Sequence, residues 1–548
     1  MIRSAMARPS ARGIKPCFRG SIASVRCGNI QSIYRFSRDQ TPPKTKHVPF
    51  LSHAFHVLSA SCVLWVAVYV ACASFLVAEV ALNFVDIDVW HQMNLIRASL
   101  AAGHLLTQDP FSYVPTVRPM IQHEWGSGVI AFFLSRWMGG SALLLLKFAA
   151  AIGTLTLAML LAQNRGAHAA TLCLFSPVAA DLMQLGFLPA VRAQVYSFLF
   201  IVLLVWVLES SQRGWHRWSL LWLAIFPIWV NLHGGFVAGL CFVFLYALEQ
   251  TLIGSSARAT VLLLGAMGLE VLINPYGVRY FSYLFRAVTM ARPRIPEWTP
   301  VWNLGWVTAA LFLCALALWL YALVDLKIWR THGIMLIPAA AIEAILHYKM
   351  LPLFAIVWLC YAPALFQQTK AGGWLQHFEQ RRRRFLILAC SAAISLCIIS
   401  AVRQRFWQVE VPQVPGEVSY PVGAVNYLAD HHFQGNIMAP FRKGAYVSWK
   451  LYPNVRVSID SRYEVAYSEA WVERVFRFYE AREGWADTLA AYPTDVVLAP
   501  TSSPVLPQLR QVGWKAVYVD GQFELDARPG LQPPACDSTG QHFSGVFP

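Results

Sequence analysis

The feature that most constrains this chain is a series of apolar runs, each near the length that crosses a bilayer, separated by short polar turns. A spanning helix needs about 20 apolar residues. Its backbone groups must also be satisfied within the segment, which leaves helix as the form such runs take. Runs of this kind fall near 57–83, 141–162, 169–190, 194–209, 219–231, 236–250, 259–275, 304–324, 333–346, 352–368 and 385–402. They predict about eleven transmembrane helices. A shorter apolar segment, 127–138, is expected to lie in the interface. Composition agrees, since 57% of the 548 residues are hydrophobic and only 13% are charged. That charged fraction is about half that of an ordinary soluble domain. A soluble enzyme, a disordered tail protein and a disulfide-built secreted module are excluded; the eleven cysteines are sparse and form no CxxC pair.

The net charge of +15 is unevenly placed. Residues 1–50 carry ten basic residues and one acid, Asp39, and read as a basic, unstructured cytoplasmic tail. A membrane domain follows over 51–402, then an extracytoplasmic domain over 403–530 and a tail over 531–548. Lys and Arg favour cytoplasmic loops. Placing the N-terminus inside gathers Arg165, Arg213, Arg217, Arg258, Lys327, Arg330, Lys370 and the Arg381–Arg384 run in short inner loops. The loops 84–126 and 276–303 then lie outside, together with the C-terminal domain, as in a multi-pass bacterial inner-membrane protein. The inner loops show no comparable gathering of polar groups. The basic residues form no aromatic-interleaved face, so nucleic acid is not an expected partner.

From about Val411 the composition turns soluble. Short β-rich runs alternate with helical patterns, which indicates a small α/β domain. It carries no Gly-rich nucleotide loop and no nucleophile elbow. The IDSRYE run (459–464) reads as a structural ion pair.

Long loops tend to carry function, and the candidate site residues come from the outer ones. Asp86 and Asp88 follow the first span, in a DIDVWH run that includes Trp90 and His91. Helical spacing over 89–101 makes Asp88 the expected N-cap. Asp86 is left with no such duty, at a depth where an acid is costly. Asp109 opens DPFS, an expected Asp-Pro turn. His123 and Glu124 stand at re-entry to the membrane. Asn231 and His233, in NLHGG, interrupt an apolar stretch, and Tyr276 closes NPYG. Arg279, Arg286, Arg292 and Arg294 then fall on the face that should be Arg-poor, followed by Glu297. His347 and Lys349 form a further polar turn there. One topology puts all of them on one side.

Carboxylates and cations at an outer membrane surface, with no nucleotide motif, suit sugar transfer from a lipid-phosphate donor. A carboxylate takes the acceptor hydroxyl's proton, and Arg or Lys stabilises the phosphate that leaves. The plan resembles the GT-C glycosyltransferases: a first span ending in acids, a long outer loop with an amphipathic helix, many spans, and an outer C-terminal domain. The series DIDVWH, DPFS, HEW, NLHGG, NPYG and IDSR is similar to a group of bacterial membrane proteins of this type, from about residue 57 to 528. The resemblance implies an all-α polytopic domain and a polyprenyl-phosphate-sugar donor. The acceptor is a glycan, lipid or protein. Asp86 or Asp88 becomes the general base, with Glu124 in support. Asp86, Asp88 and Glu124 are also where a divalent metal would sit. Asp-Ile-Asp replaces the adjacent acids of the mannosyltransferases, and the oligosaccharyltransferase WWD signature is absent. Two other readings fit the same pattern: a transporter or lipid-glycan flippase, and a non-catalytic subunit of an envelope-assembly complex.

Overall fold

The computed structural model describes residues 60–188, 192–211, 216–290, 292, 294–412, 419–531 and 547. The basic tail, Arg213, and all of 531–548 except Leu531 and Phe547 lie outside the described residues.

Among the described residues, fourteen α-helices precede the C-terminal domain: α1 (Ala60–Glu79), α2 (Ile87–Ala102), α3 (Trp125–Met138), α4 (Gly140–Asn164), α5 (Ala169–Met183), α6 (Gln194–Ser211), α7 (His216–Leu232), α8 (Phe236–Leu252), α9 (Arg258–Glu270), α10 (Arg279–Thr289), α11 (Trp306–Leu326), α12 (Leu336–Leu346), α13 (Leu351–Gln367) and α14 (Lys370–Arg403). Seven segments are long and apolar enough to cross a membrane, and three shorter apolar helices, within α7, α8 and α12, accompany them. Each of the eleven predicted runs contains a helix. The eleventh is α9, only 13 residues long. The chain is therefore a multi-pass helical membrane protein.

Burial sorts the helices by place. Every residue of α13 is buried, so it forms the axis of the bundle. It packs on α4, α5, α11 and α12, with Trp358 stacked on Phe175 at 4.8 Å. α14 is mostly exposed, as a lipid-facing helix should be. Its backbone breaks at Arg382 (φ −119°, ψ 25°), inside the four-Arg run. The basic cluster thus sits at a bend between a leading segment and the apolar span.

The predicted cap of α2 is corrected by two residues. Asp86, not Asp88, is the N-cap, with Oδ1 accepting from the Asp88 N–H at 3.0 Å. Its extended backbone (φ −72°, ψ 145°) is the conformation a cap requires. Asp88 falls in the first turn, where an acid favours the helix dipole.

The C-terminal domain holds β1 (Gly435–Met438), β2 (Val455–Val457), β3 (Val496–Pro500), β4 (Lys515–Val519) and β5 (Phe523–Ala527) in the order β2-β1-β3-β5-β4. The β2, β1 and β3 strands are parallel, whereas β5 is antiparallel to both β3 and β4. Helices α15 (Val422–Asp430), α16 (Gly444–Leu451), α17 (Tyr463–Ala466), α18 (Glu469–Tyr479), α19 (Asp487–Ala491) and α20 (Val505–Gln511) connect and flank the strands.

This domain is fastened to the first long loop. The Tyr113 N–H donates to Val457 O and the Val457 N–H to Phe111 O, so the loop pairs with the free edge of β2. Beside it Arg462 lies between two acids. It donates to Asp109 from Nη1 (2.9 Å) and Nη2 (3.1 Å), and to Asp460 from Nε (2.9 Å) and Nη2 (2.7 Å). The DPFS and IDSR motifs, far apart in sequence, are two halves of one buried ion cluster. Asp109 Oδ1 also accepts from the Phe111 N–H, the local bond of an Asp turn.

Candidate functional site

The loop-bearing end of the bundle holds two linked polar clusters. The first is centred on Arg192, between α5 and α6. Its Nε lies 3.1 Å from Asp86 Oδ2. Its two terminal nitrogens grip Glu297 at 2.6 and 3.1 Å, the bidentate geometry that guanidinium favours. The cluster keeps some access to water: Arg192 is 16% exposed and Glu297 30%. Burial pushes Asp86 up to about 7, helped by Asp88 and opposed by Arg192. Burial acts on Glu297 in the same direction, but Arg192 outweighs it and holds that carboxyl below its ordinary range. Lys349 and Arg442 pull Glu297 the same way. One acid of the pair is thus poised near neutrality and the other stays ionised.

The second cluster is built around Glu124, at the start of α3. Its Oε2 accepts from Gln92 Nε2 at 2.6 Å. Its Oε1 faces His123 Nε2 at 3.4 Å and His233 Nε2 at 3.6 Å. The tautomer of His233 follows from its other nitrogen. Nδ1 accepts from the Gly235 N–H at 2.9 Å, a group that only donates, so Nε2 carries the proton. Ser197 Oγ also meets Nδ1 at 2.7 Å while accepting from Trp229 Nε1 at 2.7 Å. Burial would raise Glu124, but its three histidine neighbours outweigh it and hold the carboxyl at about 2. Burial pushes His233 down to about 4, against the pull of Glu124. His123, the largest of the three histidine influences, keeps Glu124 a carboxylate, while His233, pushed down by burial, is a neutral imidazole at neutral pH.

Small residues let these groups meet. A Cβ at Gly128 would lie 2.8 Å from Gln92 O, and one at Gly235 would lie 2.4 Å from Ser197 Oγ. Of the paired glycines of NLHGG, Gly235 answers a need for close approach.

The remaining sequence candidates divide by neighbourhood. Asp88 is partly exposed and faces His91 Nε2 at 3.4 Å. His91 Nδ1 accepts from Gln122, whose backbone N–H and carbonyl both bond the Tyr276 hydroxyl. Asn231 spends its amide on Trp125 Nε1, Pro227 O and Ile273 O, tying three segments together. His347 binds Trp298 O at 3.1 Å, and Lys349 Nζ lies 3.2 Å from the Trp298 ring centroid. Arg292 covers that ring at 4.5 Å, and it donates to Ala287 O and Met290 O at the end of α10.

Others face elsewhere. Trp90 is fully buried against Tyr420 and Tyr446 of the C-terminal domain. Arg294 binds Glu473 and Glu480 on and beside α18. Arg279 is exposed at the start of α10, and Arg286 stands in its last turn.

Sequence reasoning missed Arg192, Gln92, Ser197 and Arg442. Arg192 was legible only as one more basic residue on an Arg-poor face, and that placement was the signal. Away from the outer loops, inside the predicted spans, the structure holds further polar groups that the comparison of loops did not cover. There Glu209 pairs with Arg165 and accepts from the Tyr246 and Tyr361 hydroxyls, both at 3.1 Å. Glu249 accepts from the Gly333, Met335 and Leu336 N–H groups at the head of α12. These groups lie at helix ends inside the predicted spans, where loop counting does not look.

Among the described residues, no group of three or more His, Cys, Asp or Glu side chains is arranged to hold a metal ion. No protein-family model and no curated protein matches the sequence. Among solved structures, the chain is similar to a crystal structure of ArnT from Cupriavidus metallidurans bound to undecaprenyl phosphate. The match covers 86% of this chain and 99% of that one, with 10% identity and a TM-score of 0.46.

Proposed function

We propose that the protein is a membrane glycosyltransferase that moves a sugar from a polyprenyl-phosphate donor to an acceptor hydroxyl on the extracytoplasmic side, with Asp86 as general base. The observation that carries this reading is the placement of Asp86: a buried carboxyl just past the first span, 3.1 Å from the Arg192 guanidinium, where burial pushes it up. A general base works best with a pKa near the operating pH. The motif series that resembles the GT-C enzymes supports the same reaction class.

In this reaction the acceptor oxygen attacks the anomeric carbon, the carbon–phosphate-oxygen bond breaks, and the acceptor proton passes to Asp86. The polyprenyl phosphate leaves as an anion. Arg192 orients Asp86 and stabilises its charged form. Lys349 and Arg292, gathered on Trp298, are the cations proposed to face the phosphate. Ionised Glu124 keeps Gln92, His123 and His233 in place along one wall.

The test is Asp86→Asn in the purified full-length protein, using undecaprenyl-phosphate-linked sugars as donors. Transfer is expected to fall by at least about 10²-fold, as for loss of a positioned base. Binding of undecaprenyl phosphate should survive. Wild-type transfer retained in Asp86→Asn removes Asp86 as the base, and wild-type transfer in Asp86→Asn, Asp88→Asn and Glu124→Gln alike sinks the whole reading.

A further inference from the structure

Lys147 is a cation that the site description has not used. It lies in α4, seven residues past the first helical residue, and none of its side chain is exposed. That places it about 10 Å along the helix at 1.5 Å per residue. An ammonium buried at such depth is costly unless its donors are met.

They are met by oxygens from two segments. Nζ donates to Leu82 O at 3.1 Å and Asn83 Oδ1 at 2.7 Å, both in the stretch leaving α1. The third bond goes to Leu188 O at 2.9 Å, in the stretch between α5 and α6. Asp86 follows the first pair within four residues, and Arg192 follows Leu188 by the same interval. All three acceptors are carbonyl oxygens, so the charge is solvated by dipoles. The first stretch is held from its other side as well. Asn83 O accepts from the Glu410 N–H, the Val85 N–H donates to Glu410 O, and the Tyr420 hydroxyl donates to Val85 O at 2.9 Å.

We propose that Lys147 is a positioning residue for the reaction at Asp86: an ammonium that draws two loop segments onto one point and so sets the 3.1 Å contact between Asp86 and Arg192. This rests on the reading of Asp86 as base. An apolar side chain here would leave Leu82 O, Asn83 Oδ1 and Leu188 O without the donor they now share. What the ammonium adds is a fixed distance between two carbonyl-bearing segments.

The charged and titratable groups that act on Asp86 are Arg192, Asp88 and Glu297, and Asp86 in turn acts on the Tyr420 phenol. If Lys147 is lost, Arg192 is the partner that drifts, and its pull on Asp86 weakens.

A hydrophobic carbodiimide reacts with protonated buried carboxyls, so labelling of Asp86 against pH reads its protonation without any transfer assay. The full-length protein is used in lipid nanodiscs, with Asp86 modification measured by peptide mass spectrometry. In Lys147→Met the pH at which labelling falls off is expected to rise by about one unit, the scale of a lost ion-pair partner. Lys147→Arg, which keeps charge and donors, should return towards the wild-type midpoint. In the transfer assay Lys147→Met should lower kcat by at least about tenfold while KM for the donor changes little, as for a misplaced catalytic group. A wild-type labelling midpoint in folded Lys147→Met overturns the proposal. If that variant does not fold, Asn83→Ala removes one of the three acceptors and should shift the midpoint the same way by less; an unmoved midpoint there overturns it equally. A labelling shift in a protein that transfers no sugar would separate failure of the glycosyl-transfer reading from failure of this one.

Discussion

Arg462 and Arg192 each lie between two carboxylates, and they differ in what the surroundings do to the acids. Around Arg462, Asp109 and Asp460 are at most 1% exposed, and Met120 and Tyr467 complete the guanidinium's contacts. Asp460 is buried, yet Arg462 holds it below its ordinary range. Around Arg192 the cluster opens to water, and burial wins at Asp86, which stays near neutrality. The closed triad holds Asp460 ionised against Arg462 and acts as a fastening. The open one keeps a carboxyl that changes state near neutral pH. The arginines look alike in sequence; access and the balance of burial against charge separate fastening from chemistry.

The largest expected contrast comes from removing each arginine. Arg462→Met should destabilise the fold by about 3–5 kcal/mol, because two buried acids lose their partner. Arg192→Gln should leave the melting temperature near wild type and reduce transfer by about 10²-fold or more, in the range found for lost electrostatic stabilisers. Thermal melting and transfer measured on both variants decide this; a melting loss in Arg192→Gln as large as in Arg462→Met would erase the distinction.

Next comes pH. A base whose pKa is raised must lose its proton to work, so transfer should be lost as pH falls through about 7 and level off above it. The limb would sit near 4 if Asp86 behaved as an ordinary aspartate. A rate–pH profile for kcat/KM distinguishes the two.

A further buried acid extends the comparison to a case in which the close neighbour is a second carboxyl, Glu524. Asp526 on β5 is fully buried and is pushed up to about 7 by burial and by Glu524, with Arg510 pulling the other way. Native Asp526 keeps its proton where the unfolded chain has lost it. Its stabilising contribution is therefore present at low pH and drains away as pH rises from about 4 to about 7. Asp526→Asn should gain about 2 kcal/mol at pH 8 and nothing near pH 4, read by melting at both. The smallest effect is expected at Arg294, whose pairs with Glu473 and Glu480 are partly exposed. Arg294→Ala should cost under about 1 kcal/mol, and a larger drop in melting temperature would make that loop contact a second fastening.

Much of the fold could be read from the chain because bilayer spanning is a local demand: every predicted apolar run contains a helix. The acids of the site were legible for the same reason, since an ionisable group beside a span stands out against its surroundings. What the sequence could not supply is pairing at a distance. Arg192 meets Glu297 across 105 residues, and Asp109 meets Arg462 across 353. The cap at Asp86 failed for a smaller reason: two acids two residues apart both suit a helix start, and only backbone geometry chooses between them.

The pairing of the first long loop with β2 also has a bearing on biosynthesis. The loop leaves the ribosome about 350 residues ahead of the strand it completes. At about 5–20 residues per second, that is a delay of roughly 20–70 s. Throughout it, Asp109 has no arginine and the backbone at Phe111 and Tyr113 has no strand to pair with. The C-terminal domain thus arrives long after the loop that it completes, so a chain truncated before β2 would leave an unfinished strand edge in that loop.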